Sequence, residues 1–134
     1  MHDDGEGELS DATSVLDWLQ QYNTNSKIVW VAGFSFGAWV AMQLLMRRPE
    51  INNFISVSPP ANTRDFGFLA PCPSSGLIIH GDKDSVMNPK YFFEACEILQ
   101  NQGFLFESHL LKGEEHTVSP EILKLTQNFI KKNI

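Results

Sequence analysis

The stretch Lys27–Leu45, KIVWVAGFSFGAWVAMQLL, decides how the rest of the chain is read. Its first part, Lys27–Ala32, is a near-continuous apolar run rich in β-branched residues. That is the pattern of a strand buried on both faces, as in a parallel sheet. Its last part predicts a helix over Phe36–Arg47, with two arginines at the end and Pro49 blocking continuation. Between them stands Gly33-Phe34-Ser35-Phe36-Gly37. A strand that turns sharply into a helix on G-x-S-x-G lifts the serine hydroxyl above the sheet on a strained backbone. Small residues at Gly33 and Gly37 are expected to prevent a collision across the turn, and Ala38 and Ala41 to let the helix approach the sheet. The helix N-terminus would aim backbone N–H groups at the space above Ser35. The plainer reading is a tight glycine-rich turn that holds a serine by accident. The flanking strand and helix favour the nucleophile.

Working outward, Val15, Trp18, Leu19 and Tyr22 follow i, i+3, i+4, i+7 and predict an amphipathic helix from Ser10, its N-cap, to Tyr22. Residues 1–9, acidic and containing two glycines, read as a loop or frayed end. Asn53–Val57 is a second strand, followed by a long connection from Pro59 to Ser75. Gly76–His80 is a third strand. Asn88-Pro89 then opens a helix with the stripe Phe92, Ala95, Cys96, Leu99, stopped by Gly103. Phe104–Leu111 is a fourth strand, and Ser119-Pro120 opens a last helix with Ile122, Leu125, Phe129 and Ile130 inward. Strands alternating with helices predict an α/β fold, about four parallel strands flanked by helices on both faces, in a single domain over 1–134. Chemistry in such sheets gathers at the carboxyl ends of the strands.

A serine nucleophile needs a base, and the base needs an orienting acid. His80-Gly81-Asp82-Lys83-Asp84 follows the third strand and Gly113-Glu114-Glu115-His116 the fourth. The order Ser35, Asp84, His116 therefore suits a triad at one sheet edge. Asp82 is the alternative acid. Asp84 is preferred because it lies deeper in the loop, with Asp82 bonding nearby backbone N–H groups. His80 reads as structural, His109 as a wall residue and His2 as part of the frayed end. Glu114 and Glu115 read as solvated loop charges. Phe34 and Val86 are candidate substrate contacts. Phe36, Trp39, Phe66 and Phe68 read mainly as core or loop anchors.

The composition narrows the function classes. The 134 residues carry 10 Lys+Arg and 16 Asp+Glu, a net charge of −6, which argues against nucleic acid. Hydrophobic residues make up 43% and charged residues 19%, a globular balance. No apolar run is long enough to span a membrane, and no signal peptide is expected. Cys72 and Cys96 are too few for a disulfide framework, so a cytoplasmic setting is expected. No CxxC or HExxH spacing occurs, so neither metal nor cofactor is expected.

GFSFGAWVAMQLLMRRPE, ISVSPPAN, FLAPCPSSGLIIHGDKD and GEEHTV resemble the α/β-hydrolase superfamily, in particular small bacterial hydrolases related to dienelactone hydrolases. The resemblance implies a metal-free serine hydrolase working through an acyl-enzyme. It implies Ser35 as nucleophile, Asp84 as acid, His116 as base and the Phe36 backbone N–H as an oxyanion donor. It also implies further N-terminal strands and a second oxyanion donor, for which this sequence offers no counterpart. The strand Lys27–Ala32 is then expected at a sheet edge, an association hazard that predicts a homodimer. The leading reading is an esterase for short-chain acyl esters. A thioesterase or peptidase is the rival within the class. A weak or inactive remnant serving as a binding or assembly module is the rival outside it.

Overall fold

The structure, a computed structural model, describes residues 6–25, 28–60 and 75–134. Among the described residues four helices and four strands follow in the order α1 Glu6–Tyr22, β1 Trp30–Phe34, α2 Phe36–Arg47, β2 Asn53–Val57, β3 Ser75–Gly81, α3 Lys90–Asn101, β4 Leu105–Leu111 and α4 Pro120–Asn133. The strands form one sheet in the order β1-β2-β3-β4, every neighbouring pair parallel. The α/β expectation holds, with β1 at an edge.

Local chemistry explains the element ends. The Ser119 hydroxyl accepts from the Ile122 N–H and Pro120 opens α4, so this cap forms as its sequence predicts. The Asn88 carboxamide accepts from the Lys90 N–H ahead of α3. Other boundaries differ from expectation: α3 starts at Lys90 with Pro89, not Asn88, at its N-cap position. α1 begins at Glu6 rather than Ser10, because Glu6 and Glu8 favour the positive end of the helix dipole. β1 begins at Trp30, where its pairing with Asn53 starts. The Val29 N–H instead donates to the Asn52 side chain at 2.7 Å, outside the ladder.

The sheet divides the core in two. On one face Leu16 of α1, Met42 and Leu45 of α2, and Phe92 and Leu99 of α3 pack over Phe54 and Ile78. On the other, Ile122 and Phe129 of α4 cover Ile55, Val57, Leu77 and Ile79. β2 and β3 are thus sandwiched, while β1 is only half-buried and Ala32 is exposed. The α1 stripe is a second correction. Val15, Trp18, Leu19 and Tyr22 face solvent, and α1 packs through Leu16 with Leu9 and Ala12 beside it. Periodicity revealed the helix, but among the described residues no element covers that stripe. A cleft of about 480 Å³ opens between α1 and the β1 side, lined by Leu16, Leu19, Ile28 and Trp30 among others. No described helix is long and apolar enough to cross a membrane.

α1 is also tied down by charge. Arg48 contacts Asp17 Oδ1 at 2.9 Å and Glu50 Oε2 at 2.7 Å, and donates to Gln20 Oε1 at 2.9 Å. The Arg48 guanidinium, with help from Gln20, holds the Glu50 carboxyl at about 2. A carboxyl lowered in the folded state stabilises above its unfolded value and loses that contribution as pH falls toward its folded value. Arg48→Ala is therefore expected to lower stability at pH 7 by about 1–2 kcal/mol. The gap should close between the ordinary glutamate value and pH 2, as read by urea unfolding across pH.

Candidate active site

Ser35 sits between β1 and α2 with φ 58° and ψ −122°. This region is strained for any residue with a Cβ. Two bonds hold the turn: the Ser35 N–H donates to the Val57 carbonyl at 2.8 Å, and the Ala38 N–H to the Ser35 carbonyl at 3.0 Å. Gly33 makes the turn possible, since a Cβ there would lie 2.1 Å from the Gly37 carbonyl oxygen. Gly37 itself needs no such allowance: a Cβ there meets nothing within 4 Å. The expectation of two obligatory glycines reduces to one, because the contact runs from position 33 onto the backbone at 37. Phe36 opens α2 at the positive end of the helix.

The other half of the site hangs from β3 and β4. His116 Nδ1 lies 2.7 Å from Asp84 Oδ2. Asp84 Oδ1 accepts from the N–H groups of Val86 at 2.9 Å and Met87 at 2.8 Å. Burial of the carboxylate would raise its pKa. The bond to His116 and the two backbone donors outweigh that effect and hold it below the ordinary aspartate value. A carboxylate that only accepts fixes the imidazole: Nδ1 carries the proton and Nε2 presents its lone pair. Gly81 allows the two loops to meet, because a Cβ there would lie 2.3 Å from the Glu114 carbonyl oxygen. The Lys83 N–H donates to that same carbonyl at 2.9 Å.

Phe34 links the halves. Its ring centroid lies 4.7 Å from that of His116, and Ser35 is the next residue. Asp84 and His116 thus meet directly, and Ser35 joins them through Phe34. Val86 touches the site through its backbone, with its side chain exposed. Asp82 departs from the expected local turn. Its Oδ1 accepts from the Gly113 N–H at 2.7 Å, clamping the β3 exit to the β4 exit. His109 lies on β4 with Nε2 3.6 Å from Glu107 Oε2. Phe66, Phe68, Cys72 and His2 lie outside the described residues. Among the described residues no three His, Cys, Asp or Glu side chains are grouped to hold a metal ion.

One residue at this edge escaped the sequence reading. Ser58 follows β2 with φ 55°, buried, its N–H on the Ile79 carbonyl at 2.8 Å. It precedes Pro59, and a residue before proline is ordinarily extended, so local rules point away from this conformation. His80, read from the sequence as structural, is buried beside Asp84, its Nε2 3.5 Å from Oδ2.

No family model matches the chain. An uncharacterized protein of Rickettsia prowazekii (strain Madrid E) is 51% identical over 119 residues, covering 85% of this chain and 50% of its own length. A solved protein of unknown function from Agrobacterium tumefaciens, named as a candidate alpha/beta hydrolase, is 48% identical. Its TM-score is 0.90, over 99% of this chain and 63% of that one. A member of the a/b serine hydrolases without lid, from Xanthomonas campestris, is 27% identical with a TM-score of 0.81, over 100% of this chain and 60% of its own. The chain thus spans half the length of the curated relative and about three-fifths of the solved ones. Its architecture is a parallel α/β sheet with a serine turn at the carboxyl edge. The fold is that of the α/β-hydrolase superfamily in shortened form, and the chain resembles that superfamily's serine hydrolases in sequence as well.

The turn geometry makes a stability test. Gly33→Ala should cost about 2–3 kcal/mol or fail to fold, since backbone atoms must move to admit the methyl. Gly37→Ala should be neutral or slightly stabilising. Equal midpoints for the two variants in urea would contradict the contact described here.

Proposed function

We propose that this chain carries the catalytic serine, acid and base of a carboxylesterase-type serine hydrolase acting on short-chain acyl esters. The observation that supports the reading best is the 2.7 Å bond between Asp84 and His116, with the His116 ring against Phe34, the neighbour of the strained Ser35. In this mechanism His116 Nε2 takes the Ser35 hydroxyl proton as Oγ attacks the ester carbonyl carbon. Asp84 keeps the imidazole in the required tautomer and stabilises its cation. The Phe36 N–H, at the start of α2, donates to the developing oxyanion. Collapse expels the alcohol with the proton from His116, and water activated by the same imidazole releases the acid and frees Ser35. The mechanism calls for a second oxyanion donor beside the Phe36 N–H. Lack of one typically costs about 10²–10³ in kcat. The lidless character of the Xanthomonas relative favours a shallow site and small acyl groups.

Purified protein should hydrolyse p-nitrophenyl acetate and butyrate faster than long-chain esters, and Ser35→Ala should abolish turnover without unfolding. Equal rates for wild type and variant would overturn the triad, and faster long-chain turnover would overturn the substrate class. An inactive wild type would favour the binding or assembly module. Thioester and anilide substrates beside these separate the thioesterase and peptidase readings.

The partner proposed for the β1 edge is a second copy of the chain. An unpaired strand edge offers N–H and C=O groups to another strand, and the exposed α1 stripe lies on the same side of the sheet. Light scattering should give twice the chain mass, and Trp18→Glu with Leu19→Lys should give the monomer. A monomeric wild type would defeat the proposal.

A further inference from the structure

One buried polar side chain lies against the acid–base pair without a role so far. His80, near the end of β3, is wholly buried. Its Nε2 lies 2.8 Å from the Met87 carbonyl oxygen and 3.5 Å from Asp84 Oδ2. Its Nδ1 is buried with no hydrogen-bond partner among the described residues. Phe92 of α3 closes the opposite side, its ring centroid 6.1 Å away and nearly edge-on. The charged or titratable groups that act on His80 among the described residues are Asp84 and His116.

These contacts fix the imidazole's state. A carbonyl can only accept, so Nε2 carries a proton. Burial pushes the imidazole pKa down, against the opposing pull of Met87 and Asp84. The ring is thus neutral at pH 7, and Nδ1 is a bare lone pair with no donor. An unsatisfied buried acceptor of this kind is destabilising. A leucine or phenylalanine would fill the space without that cost. What the imidazole supplies, and an apolar ring does not, is the bond to Met87. Met87 is the residue whose own N–H holds Asp84 Oδ1 at 2.8 Å.

We propose that His80 is a positioning residue: by anchoring the Met87 carbonyl it holds the Asp84 loop so that Oδ1 keeps its two backbone donors and Oδ2 is aimed at His116. The proposal rests on reading Asp84 and His116 as acid and base. Without the anchor the peptide at Met87 can rotate. The Asp84 carboxylate then loses its fixed orientation, and the imidazolium of His116 is less well stabilised.

The test is a set of His80 variants in the intact chain. His80→Phe keeps the ring and removes the donor. His80→Gln places an amide N–H near the Nε2 position, and His80→Asn is too short to reach Met87. Two readouts are taken: ester hydrolysis against concentration, and the titration of His116 followed by NMR of protein labelled with ¹⁵N at histidine. In His80→Phe, kcat should fall about tenfold to a hundredfold with KM little changed, and the His116 midpoint should move down. His80→Gln should recover most of both. A His80→Phe variant that matches wild type in kcat and in His116 titration overturns the proposal. If His80→Phe does not fold, the Gln and Asn variants decide, and identical behaviour of the two overturns it. The NMR readout does not need turnover. An inactive wild type whose His116 midpoint still moves would sink the hydrolase reading and leave the positioning role standing.

Discussion

The Asp84 carboxylate is a charge buried in a small protein, and such a charge persists only when its oxygens are met by donors. Here Oδ1 takes two backbone N–H groups and Oδ2 takes the imidazole of His116. Each partner comes from a segment whose course is set elsewhere. The backbone donors need the Ser85–Asn88 turn that leads into α3. The imidazole needs the β4 exit brought alongside, which the Asp82–Gly113 bond and the close approach at Gly81 accomplish. The parallel pairing of β3 with β4 puts both exits at the same sheet edge. Geometry at the site is therefore a consequence of sheet register more than of any local motif.

The serine turn obeys the same logic from the other side. Its positive φ is unfavourable alone, and the structure over-determines it through the bond to Val57 and the contact between Gly33 and the backbone at Gly37. Phe34 and Val57 are paired across β1 and β2, so the strained residue is referenced to the most buried part of the sheet. The strain at Ser35 is thus supported by elements that have little else to do with the chemistry.

Much of this was legible in the residues. KIVWVA, NFISV, GLIIH and FLFESHLL disclosed four strands, and the Ser119-Pro120 cap disclosed a helix start, because apolar runs and capping are local physics; burial on both faces holds for β2 and β3, whereas β1 is half-buried and β4 partly exposed. Asp84 and His116 could be paired because chain order and strand ends suffice for that. Other features depend on distant partners. The α1 stripe declared a helix but could not declare what covers it, and Val15 and Trp18 turned out exposed. Asp82 was assigned to its own turn because its actual partner, Gly113, is 31 residues away. His80 looked like an ordinary strand residue, since nothing in HGDKD tells that the ring points at the carbonyl of Met87. Ser58 ran against the local preference imposed by the proline that follows it.

The arrangement of the halves bears on how the protein assembles. β1, α2 and β2 make one parallel unit that contains Ser35; β3, α3 and β4 make a second that contains Asp84, with His116 on the segment that follows β4. The Asp84–His116 bond lies on the β3–β4 side, whereas Phe34, the neighbour of Ser35, reaches the His116 ring from β1. The bond between Asp84 and His116 can form without the first unit, whereas the ring contact between Phe34 and His116 forms only when the two units dock. In one refolding experiment the hydrogen-bonded proton of His116 would therefore shift twice, once as the later half forms and again as the central seam closes.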